Sequence, residues 1–99
     1  MASLRWTDEA VSWLAEIRSY IEQDNPIAAL ETVRGIHELA GTLLDLPERG
    51  YRFTERDDRH IRILLYGHYR IAYLIRPNGD IDILGVFHGA LDIQRYLAR

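Results

Sequence analysis

Tyr69-Arg70-Ile71-Ala72-Tyr73-Leu74-Ile75-Arg76-Pro77-Asn78-Gly79-Asp80-Ile81-Asp82-Ile83-Leu84-Gly85-Val86-Phe87 reads as two apolar strands joined by a tight turn. Tyr69 to Ile75 is rich in β-branched and aromatic residues, and Pro77-Asn78-Gly79-Asp80 supplies the positive-φ positions that a hairpin turn needs. Ile81 to Phe87 then returns as a mostly apolar strand. Just upstream the period is again two. Ile61, Ile63 and Leu65 alternate with His60, Arg62 and Leu64, and Tyr66-Gly67-His68 turns the chain into Tyr69. Three antiparallel strands in one sheet are expected.

Toward the N-terminus the period changes to that of a helix. Pro47 to Arg59 reads as a loop, and before it Ala29, Leu30, Val33, Ile36, His37, Ala40, Leu43 and Leu44 recur at three- and four-residue spacing. Pro47 stops that helix, with Gly50 beyond it; Asn25 caps its start and Pro26 takes the first helical position, where a missing N–H costs nothing. Gly35 and Gly41 each weaken it by about 1 kcal/mol relative to alanine, which marks them as points of close approach or fraying. A first helix begins after Thr7, with Asp8 and Glu9 at the positive end of its dipole, and carries the stripe Ala10, Trp13, Leu14, Ile17, Tyr20, Ile21 as far as about Asp24. Ser3 to Trp6 is a short strand. The whole is an α+β chain of order β-α-α-β-β-β, a helical hairpin packed on one face of a sheet, with a short C-terminal helix over Asp92 to Leu97.

At 99 residues and 47% hydrophobic content, residues 1–99 form a single expected domain with one modest core. There is no cysteine, so disulfides and thiolate metal sites are excluded. Trp6-Thr7-Asp8-Glu9 places charge where a leader would be apolar, and no run reaches spanning length, so a cytoplasmic protein without membrane contact is expected. The net charge of −3 is uneven. Met1 to Leu46 holds three arginines against eight carboxylates, giving −5, while Pro47 to Arg99 holds nine against seven, giving +2. All the basic residues are arginine.

Several pieces are similar to a known family. Trp6-Thr7-Asp8-Glu9-Ala10, Leu14 to Ile21, Asp24-Asn25-Pro26 with Ala28-Ala29, and Leu46-Pro47-Glu48-Arg49-Gly50 come in the order seen in RelE/ParE toxins of type II toxin-antitoxin systems. Tyr69-Arg70-Ile71-Ala72-Tyr73 resembles the family's "YRIxY" strand, and Val86-Phe87-His88-Gly89-Ala90-Leu91-Asp92 resembles the ParE ending "VLHxxxD". The resemblance implies a toxin neutralised by a small antitoxin, in a toxin-antitoxin hetero-oligomer. It leaves two activities to weigh: inhibition of DNA gyrase by protein contact, or ribosome-dependent cleavage of mRNA.

Cleaving mRNA needs a general base, an acid for the leaving oxygen, and cations against the developing phosphorane charge. RNase members that resemble this chain carry cations where it has Leu65-Tyr66 and Gly89-Ala90, so two of those charges are missing. His88 or Tyr96 with Arg62 and Arg70 would be the remaining catalytic set, although a histidine four residues before Asp92 more often fixes a corner by hydrogen bonding. The reading adopted is therefore ParE-like, with target contact by His88, Asp92, Arg95 and Tyr96 and a second basic surface at Arg56, Arg59 and Arg62. The endonuclease is the alternative, and a relic that only binds antitoxin is a third. Trp13, Tyr20 and Tyr51 are the candidate antitoxin anchors or, equally, core-closing aromatics. His37, His60, His68 and His88 lack metal-ligand spacing, no cofactor motif is found, and a pI near 5.7 argues against direct sequence-specific nucleic-acid binding.

Overall fold

The computed structural model describes residues 1–53 and 60–89. A strand β1 (Leu4–Trp6) leads into helix α1 (Asp8–Glu22) and helix α2 (Pro26–Gly41), followed by a 3₁₀ turn, Thr42–Leu44. Strands β2 (Tyr51–Arg52), β3 (Ile61–Tyr66), β4 (Tyr69–Ile75) and β5 (Ile81–His88) complete the described order. The expected α+β arrangement is found; the proposed C-terminal helix lies outside the described residues. Both helix starts follow their caps: Thr7 accepts from the Ala10 N–H at 3.1 Å and Asn25 from the Ala28 N–H at 3.0 Å. Thr7 also donates its hydroxyl to the Ile83 carbonyl at 2.8 Å, which ties the start of α1 to the middle of β5.

The sheet has five strands in the order β1-β5-β4-β3-β2, and β1 runs parallel to β5 while the rest are antiparallel. Two details depart from the sequence reading. The segment read as a loop from Pro47 contains β2, whose two residues are too few to show a period. The second helix gives way to the 3₁₀ turn at Gly41, before Pro47, and among its glycines only Gly35 marks a close approach. A Cβ on Gly35 would sit 1.9 Å from the Tyr66 hydroxyl oxygen, whereas one on Gly41 would meet nothing within 4 Å.

Cross-strand partners share a face, so the register sorts the core. Leu64, Ile71 and Val86 line up on one face and, with Tyr73 and Ile83, pack against Leu14 and Ile36 of the hairpin. Ile63 and Ala72 are paired on the other face, where Phe53, Ile61 and Phe87 form a second buried cluster. Leu65 was expected to continue the inner row of β3, but it is 54% exposed while Leu64 is buried, because both faces of β3 are covered along Ile61 to Leu64. Between Ala72 and Tyr73 the register slips, leaving Leu84 as an extra residue on β5. No helix among the described residues is long and apolar enough to cross a membrane.

Candidate functional site

The Gly67-His68 turn closes β3 onto β4 and brings His68 and Tyr69 beside the end of β5, where Tyr69 stands directly opposite His88. The His88 ring lies 5.3 Å from Tyr69 and 6.2 Å from His68, centroid to centroid. The Gly89 N–H donates to the His68 carbonyl at 2.7 Å and closes this corner. His88 is exposed, and among the described residues its side chain makes ring contacts but no hydrogen bond. Burial lifts the Tyr69 phenol above its ordinary pKa, and the neighbouring Tyr20 adds to the shift. Tyr69 is therefore neutral at physiological pH and gives His88 no anionic partner.

Arg62 and Arg70 are separated by the pleat. Arg62 is opposite Tyr73 and Arg70 opposite Leu65, positions of different parity on β3, so the two guanidinium groups leave opposite faces of the sheet. Arg62 shares a face with His88, but four residues along the strands and two strands across, roughly 13 Å by 10 Å away. Its guanidinium donates to the carbonyls of Glu48, at 3.2 Å, and Gly50, and its Nε to His60 at 3.4 Å. Arg70 donates to the Tyr51 hydroxyl at 2.8 Å on the other face. Asp92, Arg95, Tyr96, Arg56 and Arg59 lie outside the described residues.

The three aromatic candidates occupy different settings. Tyr20 is 75% exposed on α1 and Tyr51 is 46% exposed on β2. Trp13 is half-buried, with its ring 4.9 Å from that of Phe87, and so packs against the second core cluster. His37 is exposed with its ring against Trp6, in keeping with a boundary residue.

Two polar ties and one groove escaped the sequence reading. Tyr73 is fully buried; its hydroxyl donates to the Pro47 carbonyl at 2.7 Å and accepts from the Gly50 N–H at 2.9 Å. Gly50 must be glycine there, since a Cβ would lie 2.6 Å from the Ile63 carbonyl oxygen. Asp82, buried in β5, accepts from Arg76 at 2.7 Å and meets Arg5 at 3.5 Å, which joins β1 to the end of the β4–β5 hairpin. The third is a groove of about 610 Å³ beside the loop that Tyr73 holds, lined by Leu46, Pro47, Glu48 and Ile75 among others. A carboxylate inside an apolar strand was the available signal for Asp82; nothing local signalled the groove.

Residues 4–93 match the family model for the ParE toxin of the type II toxin-antitoxin system parDE. The Sinorhizobium fredii protein Y4kP is 35% identical over 85 residues, covering 86% of this chain and 85% of that one. Toxin RelE2 of Caulobacter vibrioides is 32% identical over 90 residues, covering 91% and 98%. A solved structure of the chromosomal ParDE system from P. aeruginosa shares the fold, with a TM-score of 0.76 at 23% identity over 90% of this chain and 97% of that one.

Proposed function

This chain belongs to the ParE toxin family of type II toxin-antitoxin systems, and from that membership we propose that it inhibits DNA gyrase by protein contact and is neutralised by a cognate antitoxin. The contact is assigned to the C-terminal end: His88, exposed at the end of β5, with Asp92, Arg95 and Tyr96 beyond it, and Arg56, Arg59 and Arg62 as a secondary surface. The observation that carries this over the endonuclease reading is the placement of the two arginines. An RNase of this type must converge cations on one phosphate. Here Arg62 and Arg70 leave opposite faces, and Arg62 already donates to backbone carbonyls.

The second reading, a ribosome-dependent mRNA endonuclease using His88 or Tyr96 with Arg62 and Arg70, draws on the likeness to a relative named RelE2. Tyr20 and Tyr51, both exposed, are the proposed antitoxin anchors together with Trp13, which is half-buried against Phe87. A paired assay separates the activities: gyrase supercoiling and cleavage-complex formation on one side, mRNA cleavage on translating ribosomes on the other. Lost supercoiling with intact mRNA is expected; cut mRNA with active gyrase overturns the proposal, and silence in both favours an antitoxin-binding relic.

A further inference from the structure

His68 and His88 are far apart in the chain, yet their rings lie 6.2 Å apart, centroid to centroid, at an interplanar angle of 61°. Both side chains are exposed, and among the described residues neither makes a hydrogen bond or an ion pair. Their backbones are fixed relative to each other. Tyr69, next to His68, stands in register opposite His88, and the Gly89 N–H donates to the His68 carbonyl at 2.7 Å. An ion that takes both rings therefore has only side chains to order, because folding has already set the frame that carries them. The other two histidines are engaged elsewhere: the His37 ring lies 4.5 Å from that of Trp6, and His60 accepts from the Arg62 Nε at 3.4 Å.

A zinc–imidazole bond is about 2.0–2.1 Å long, which puts the ring centre roughly 3.2 Å from the ion. Two imidazoles on one ion therefore have centres at most about 6.4 Å apart, and about 5.2 Å apart at a tetrahedral angle. The separation of His68 and His88 is inside that limit, and rotation of two exposed side chains closes the remainder. We propose that His68 and His88 together hold a divalent transition-metal ion such as zinc, through one nitrogen of each ring, with water in the remaining positions. Among the described residues no group of three His, Cys, Asp or Glu side chains converges, so the site has two protein ligands. Without carboxylates it does not suit the hard, oxygen-seeking magnesium or calcium ions. The separation of the two histidines in the chain hid the pair, and it stands independently of which target the toxin contacts.

The test titrates zinc chloride into the full chain, isotopically labelled and free of any purification tag, with affinity read by calorimetry and position by the histidine ring and backbone amide resonances. Saturable binding that shifts the resonances of His68, His88 and Gly89 is expected. His68→Gln and His88→Gln should each weaken zinc binding by about tenfold or more, because either leaves a single imidazole and removes the gain from tethering two. Both positions are exposed, and an unchanged circular dichroism spectrum shows that each variant keeps the fold. His37→Gln and His60→Gln should leave the affinity unchanged, and magnesium chloride should produce no comparable shifts. Zinc binding that survives His68→Gln or His88→Gln, that is lost in His37→Gln or His60→Gln, or that magnesium reproduces overturns the proposal. So does the absence of saturable binding at millimolar zinc.

Discussion

Asp82 is the one charged side chain buried among the described residues, and its carboxylate is usable inside an apolar strand because Arg5 reaches it from the edge strand β1 and Arg76 from the β4–β5 turn. That hydrogen bond holds the Arg76 guanidinium above its already high pKa. Asp82→Asn keeps the shape and removes the charge, so chemical denaturation should report a loss of about 1–3 kcal/mol. Tyr73 makes the other long-range polar tie. Tyr73→Phe leaves the Gly50 N–H and Pro47 carbonyl without their partner and should cost about 1–3 kcal/mol by the same measurement. Burial raises the Tyr73 phenol above its ordinary pKa, with smaller effects from Gly50, Arg62 and Glu48. Because the folded value exceeds the unfolded one, the contribution is complete below about pH 10 and fades as pH climbs through the folded value. Stability measured above about pH 10 should therefore fall less steeply in Tyr73→Phe than in the parent. The residue types were visible in the sequence, but their partners were not: Tyr73 and Pro47 are far apart in the chain, and no local spacing encodes that meeting.

At the scale of elements, the two glycines of α2 make a controlled pair. Alanine favours a helix over glycine by about 1 kcal/mol at either position, yet only Gly35 faces a neighbour, the ring of Tyr66 on β3. Gly35→Ala should lower the midpoint of thermal unfolding, and Gly41→Ala should leave it unchanged or raise it; equal effects would show that α2 does not lie on β3 as closely as the structure has it. Helix starts were legible because a cap and a first turn are local events, as Thr7 and Asn25 demonstrate. The helix end was not. Gly41 to Leu44 tightens to 3₁₀ bonding before Pro47 enforces a stop, which periodicity alone does not resolve. β2 was missed for a related reason, since two residues exist as a strand only through their pairing with Ile63 and Arg62.

On the scale of the whole molecule, the same sheet carries two separated features: the exposed His88 corner at one end and the Leu46 groove at the other. A chain truncated after Gly89 should keep the described sheet while losing growth arrest, as circular dichroism and expression tests would record. Retained arrest would remove the proposed target contact from the C-terminal end. Sequence alone determined the order of the two helices and the four longer strands, the helix caps, the hairpin turns and the family likeness, because each depends on neighbours a few residues apart or on their succession. Only the tertiary structure decided that β1 lies parallel beside β5, that Arg62 and Arg70 part to opposite faces, and that Tyr73 fastens the loop whose far side is the groove. Those outcomes depend on register and on which surfaces meet, and both are fixed when distant segments bury apolar area together rather than by any local preference.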